Sequence, residues 1–176
     1  IPIVKVDGKW HLDGAAGADE LLYRRIGRNE LGAIAVSRGF IDAQFEYAAE
    51  GHDGNEPGVF AAKLLSDPGQ RNGLYWPTAE GEPPSPAGSP VARAAAEGYK
   101  AVTGKRKPYH GYFYRFLCAQ GANAQGGAAE YFVDGRLTQG GALLAWPADY
   151  GASGIMSFMI NHDGVVYQRD FGEETA

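Results

Sequence analysis

The sequence predicts an α+β protein, with N-terminal helices packed on a C-terminal antiparallel sheet. Three observations lead there. Apolar residues recur at helical spacing between residues 18 and 49. Beyond Pro108 the pattern changes to short aromatic and β-branched runs. Two Asp-Gly pairs, Asp134-Gly135 and Asp163-Gly164, punctuate those runs as hairpin turns do. Successive strands joined by tight turns imply a meander.

The chain opens with Ile3-Val4-Lys5-Val6 and Trp10-His11-Leu12 around Asp7-Gly8-Lys9, which reads as a hairpin. A three-residue loop is expected, because it gathers Val4, Val6, Trp10 and Leu12 on one face. Residues 1–16 are read as this hairpin, a remnant of an upstream domain, and residues 17–176 as a single α+β domain. The first residue is Ile rather than Met, so trimming of the N-terminus is expected.

A first helix is predicted over residues 18–26. Asp19 and Glu20 lie near its positive end, Arg24 and Arg25 near the other, and Gly27 is its stop. A longer helix follows over 29–49. Ala33, Val36, Phe40, Ala43 and Tyr47 make one apolar stripe, and Leu31, Ile34, Ile41 and Phe45 a second beside it. Only Arg38, Asp42, Glu46 and Glu50 form a charged ridge, so this helix should be covered on more than half its circumference. Pro57 opens a third short helix, to residue 65. Residues 77–90 are Pro/Gly/Ser/Glu-rich and read as a loop. Ser89 as cap and Pro90 at the first position start a helix over 90–97, closed by Gly98.

Strands are expected at 109–119, 130–133, 136–138, 142–146 and 155–160. In the last hairpin a two-residue Asp163-Gly164 loop pairs Ile160 with Tyr167. That register places Phe158, Ile160, Val165 and Tyr167 on one face, as a half-buried sheet requires.

Bulk properties limit the function classes. A formal charge of −5 and the absence of long basic runs argue against sequence-independent nucleic-acid binding. No apolar run approaches the ~20 residues of a membrane span. Cys118 is the single cysteine, which excludes an intramolecular disulfide; its place among strand aromatics predicts a buried, inert thiol.

Motif chemistry is sparse. His110 and His162 are the catalytic candidates, because imidazole moves protons near neutral pH, with Asp149 and Asp163 to orient them. The competing reading makes one a strand start and the other a hairpin cap. Gly151-Ala152-Ser153-Gly154 lacks the spacing of a nucleophile elbow. Glu50-Gly51-His52-Asp53-Gly54-Asn55-Glu56 crowds oxygen ligands, yet Gly51 stands where a calcium ligand is wanted. No metal site and no cofactor are predicted. Six aromatics near turns, Tyr75, Trp76, Tyr109, Tyr112, Trp146 and Tyr150, form the candidate ligand-binding set; the same rings would equally serve to close a small core.

The segments Arg24-Arg25-Ile26-Gly27-Arg28-Asn29-Glu30-Leu31, Asp42-Ala43-Gln44 with Tyr47-Ala48, Gly73-Leu74-Tyr75-Trp76-Pro77, Tyr109-His110-Gly111-Tyr112, Ala145-Trp146-Pro147-Ala148-Asp149-Tyr150-Gly151 and Asn161-His162-Asp163-Gly164-Val165-Val166-Tyr167 occur in this order along the chain. Together they resemble the bacterial DUF2950 family. The resemblance implies an exported protein, periplasmic or secreted, with a further segment upstream. It brings no activity and no catalytic residues. A long helix on an antiparallel meander is also similar in architecture to the globular part of pilin-like proteins. The function expected from all this is a non-catalytic envelope module, binding a protein or carbohydrate through aromatic loops or serving a structural role. The alternative is a hydrolase-like enzyme using the His and Asp candidates.

Overall fold

The computed structural model describes residues 2–88 and 108–175; the helix expected at 90–97, with its Ser89 cap, lies outside them. The N-terminal hairpin pairs β1 (Ile3–Val6) with β2 (Lys9–Leu12). Its loop is two residues, not three: Val6 pairs with Lys9, and Asp7 and Gly8 both take positive φ, 48° and 78°. That is the turn Asp-Gly favours, and its twist matches the strands. Every residue of both strands is exposed, so no core face exists to impose the apolar register.

The chain then enters α1 (Gly14–Glu50), a single 37-residue helix where two were expected. Asp13 caps it by accepting the Ala16 N–H at 2.9 Å. Gly27 does not end it, because contacts with the 149–156 turn hold the helix on both sides of that residue. Arg25 Nε donates to Ala152 O at 3.0 Å, and Asn29 Nδ2 to Ser153 O at 2.8 Å. Glu30 Oε1 accepts from the Ile155 and Met156 N–H groups at 2.9 and 3.0 Å. The predicted first stripe, Ala33, Val36, Phe40, Ala43 and Tyr47, is buried. The second is not wholly so: Ile41 is buried, while Leu31 and Phe45 face solvent.

The helix expected at 57–65 is extended chain. Gly58 has φ 100°, and Phe60 and Leu65 make isolated bridges to Leu137 and Tyr75. Gln44, buried in α1, replaces a strand partner there. Its amide donates to Ala61 O and accepts from Ala61 N, both at 2.9 Å. A polar backbone can therefore cross the core without orphaned groups. Within the stretch expected as an open loop, Ala87 is buried and its N–H donates to Leu74 O.

Among the described residues the main sheet has four antiparallel strands. These are β3 (Tyr112–Leu117), β8 (Ala142–Pro147), β9 (Met156–Asn161) and β10 (Val166–Asp170), in the spatial order β10-β9-β8-β3. Two small ribbons fill the β3–β8 connection: β4 (Ala119–Gln120) with β5 (Ala129–Glu130), and β6 (Phe132–Val133) with β7 (Arg136–Leu137). The Asp134-Gly135 turn is as predicted, with φ 51° and 76°. One long N-terminal helix packed against a C-terminal antiparallel sheet is thus the α+β arrangement expected.

The β9–β10 register differs from expectation by one residue. Ile160 pairs with Val166, not Tyr167, so the loop holds a third residue. Asn161 sets it: its Oδ1 accepts from Asp163 N at 3.2 Å, its carbonyl from Gly164 N at 3.0 Å, and Gly164 takes φ 76°. A three-residue turn ending in a left-handed glycine is the common alternative to the two-residue one. The slip exchanges faces. Val166 joins Phe158 and Ile160 against α1, and Tyr167 turns to the other side.

The core lies between α1 and one sheet face. Phe40 and Ile41 meet Leu143, Ile160 and Phe116; Ala33 meets Tyr112, Ala145 and Phe158. Phe40 and Phe116 pack edge to face at 5.5 Å.

Candidate functional site

The Tyr109–Tyr112 and Trp146–Gly151 signatures meet against the N-terminal half of α1. Ala148 N donates to Gly111 O at 2.9 Å, and Tyr112 Oη to Met156 O at 2.8 Å. The approach is close enough to require glycine: a Cβ on Gly111 would lie 2.5 Å from Asn29 Nδ2, and one on Gly154 2.2 Å from Tyr112 Oη. These residues clamp helix to sheet. Tyr112 is fully buried, and burial, followed by the nearby Glu30 carboxylate, raises its hydroxyl pKa. Tyr109 is half-buried, with its ring 4.3 Å from that of His110. Tyr150 is half-buried, and its hydroxyl reaches Asp170 Oδ2 at 3.4 Å.

The Gly73–Pro77 signature lies at the other end of α1. Trp76 is buried, 5.3 Å from the His52 ring and 6.5 Å from Tyr47, with the Arg71 guanidinium 5.4 Å over it. Burial lowers the His52 pKa, with Glu50 opposing and Arg71 adding to the shift. Tyr75 packs partly buried against the same cluster. Tyr112 is fully buried, while Trp76, though largely buried, lines a shallow depression with Arg71 and Pro77. Of the six aromatics, Trp146 presents a half-buried ring on the far side of the sheet, 5.9 Å from Phe113.

The catalytic candidates are spread over the molecule. His110 is exposed, with φ 48°, and its ring lies over Gly32 of α1. Asp149 is exposed and engaged in its own turn, its N–H donating to Ser153 Oγ at 2.9 Å and its carbonyl accepting that hydroxyl at 3.0 Å. His162 lies over Gly140, edge-on to Tyr131 at 5.7 Å. The one His–carboxylate approach among the described residues is between sequence neighbours, His162 Nε2 and Asp163 Oδ1, at 3.9 Å. That distance exceeds hydrogen-bond reach. Cys118 is exposed rather than buried, since it stands between β3 and β4 where strand alternation is interrupted. Among the described residues no three His, Cys, Asp or Glu side chains gather as a metal site, the Glu50–Glu56 loop included.

The face of the sheet turned away from α1 carries the feature that sequence reasoning missed. Strand registers align its side chains in rows: Phe113 beside Trp146; Arg115, Leu144, Met159 and Tyr167; then Leu117, Ala142 and Asn161. Met159 and Tyr167 remain 42% and 46% exposed. At one end the loop 119–125 walls a cleft of about 390 Å³ floored by Leu117, Met159, Tyr131 and Tyr167. At the other, Phe171 and Thr175 border a shallower depression of about 350 Å³ over Leu144 and Trp146. The signal was present in Leu143-Leu144 and in Phe158-Met159-Ile160, where apolar residues occupy both alternating sets. Helix α1 covers only one of those sets.

Fold and surface together define an α+β protein with an open aromatic-aliphatic sheet face and no assembled proton-transfer pair among its described residues. The sequence model of a family described as "Protein of unknown function (DUF2950)" matches residues 1–176, and the chain belongs to that family. Neither a curated protein nor a solved structure matches it.

Proposed function

We propose that this protein is a non-catalytic binding module of the bacterial envelope or the secreted fraction, and that the outer sheet face is its ligand surface. The observation that carries the reading is the row Arg115, Leu144, Met159 and Tyr167, bordered by two depressions. Antiparallel sheets usually solvate their second face with polar residues, whereas this one sets Phe113, Trp146, Leu144, Met159 and Tyr167 among Arg115, Ser157, Asn161 and Arg169. A contiguous apolar patch rimmed by polar groups marks an interaction site. The scattered His and Asp candidates support binding over hydrolysis, because proton transfer needs partners within reach. The family resemblance supports export; no described helix is long and apolar enough to cross a membrane.

The test is retention of the purified protein on isolated cell-wall polymer and on immobilised envelope proteins. Met159→Lys and Tyr167→Ala alter exposed positions, so they should abolish retention while leaving the melting temperature near that of the wild type. Unchanged retention in both variants would remove the outer face from consideration. Fractionation of the source cells checks export: recovery with cytosolic markers alone counts against it.

A further inference from the structure

The cleft at the β4 end of the outer face differs chemically from the rest of that surface. Among the described residues, no Asp, Glu, Lys, Arg or His lines it. Its floor is Leu117, Met159, Tyr131 and Tyr167, and its rim carries the amides of Asn123 and Gln125 beside those of Gln120 and Asn161, which bond within the protein. A volume of about 390 Å³ lies toward the small end of known ligand sites. Apolar walls with a few amides suit a ligand that is uncharged, compact and rich in hydroxyl or amide groups. A phosphate or carboxylate would find no cationic partner among the described lining residues, and would lose its hydration uncompensated.

The cleft is also preformed. Gln120 fixes its wall: Nε2 donates to Gly127 O at 2.8 Å and to Gln125 O at 3.1 Å. Gln120 Oε1 accepts the Tyr131 hydroxyl at 2.9 Å, which ties that wall to the floor. Tyr131 is fully buried and held edge-on by His162. His162 in turn needs Gly140, where a Cβ would come 2.3 Å from Nδ1. Asn161-His162-Asp163-Gly164 thus buttresses the cleft, and its three-residue turn is what places Tyr167 on the open face. A site ordered before binding spares the ligand the entropy of ordering it.

We propose that this cleft binds an uncharged saccharide of one or two rings, with acetamido or hydroxyl groups meeting the rim amides and a sugar face lying on Tyr167. The inference rests on the outer face being the binding surface, as argued above. The probe is N,N′-diacetylchitobiose, followed by saturation-transfer NMR and titration calorimetry, with N-acetylneuraminic acid and a neutral hexapeptide as comparisons. The neutral disaccharide should bind and the charged sugar should not. Tyr167→Ala and Asn123→Ala should each weaken binding by about tenfold, the upper range for one aromatic or hydrogen-bond contact, with melting unchanged. Gln120→Glu keeps an acceptor for Tyr131 but loses both donors to the wall; it should weaken binding and speed amide exchange across 121–127. Tighter binding of the peptide or the charged sugar, or no transfer to the disaccharide, overturns the saccharide. If Tyr167-dependent retention on an envelope protein persists in that case, the broader reading survives. Loss of both ends both.

Discussion

At the scale of single residues, Gln44 shows how the core tolerates an irregular strand. Its amide is buried, and both of its bonds run to the backbone of Ala61. Gln44→Leu preserves volume but leaves the Ala61 N–H and C=O without partners. Each orphaned buried group costs about 1–3 kcal/mol, so a loss of roughly 2–4 kcal/mol is expected. Urea unfolding measures it as a lower midpoint at constant slope. A change within about 0.5 kcal/mol would mean that water or a shifted backbone replaces the amide. This pairing was not legible in the sequence. Position 44 lies among apolar stripe residues, and nothing local marks Ala61 as its partner. Tyr112 and Trp76 pose the opposite difficulty: an aromatic beside a turn has one sequence appearance whether it faces solvent or the core, and here the core takes both.

At the scale of elements, local turn chemistry and tertiary contacts competed, with different winners. In the β1–β2 hairpin no core exists, so Asp7-Gly8 set a two-residue loop against the apolar pattern. In the β9–β10 hairpin, Asn161 and Gly164 set a three-residue loop and chose which apolar residues are buried. The Asp134-Gly135 turn and the strands at 142–147 and 156–161 were readable, because local preference and packing agree there. Gly27 was misread because its stop signal is real in isolation. The 149–156 turn overrides it through Arg25, Asn29 and Glu30. A direct test follows. A Cβ on Gly27 meets nothing within 4 Å, so Gly27→Ala should stabilise the protein by about 0.5–1 kcal/mol, the helix-propensity difference. A glycine ending a helix at positive φ would respond the other way, and thermal or chemical unfolding gives the sign.

At the scale of the whole molecule, the layer order and the antiparallel meander could be read from the chain, but the open face could not. One residue of register in the last hairpin decides whether Tyr167 is core or surface, and that choice defines the candidate cleft. The helix–sheet interface has its own signature, a pair of tyrosines at its centre. Tyr112 donates to Met156 O, whereas Tyr114 Oη is buried with no partner among the described residues. Burial is the main cause that raises both pKa values, with Glu30 adding to the first and Tyr109 and Tyr112 to the second. In the unfolded chain tyrosines ionise near pH 10, about where free phenols do. Above that pH the unfolded state gives up protons that the folded state keeps, so stability must fall as pH rises. The contribution is whole below the unfolded value and is lost as pH climbs through the folded values. Alkaline titration should therefore show phenolate absorbance and loss of far-ultraviolet dichroism arriving together for these two rings. Tyr114→Phe removes an unpartnered hydroxyl, so it should leave neutral-pH stability equal or higher and make the alkaline decline shallower. If phenolate forms fully while the dichroism stays native, the rings are not sealed between α1 and the sheet, and the packing described for this interface is wrong.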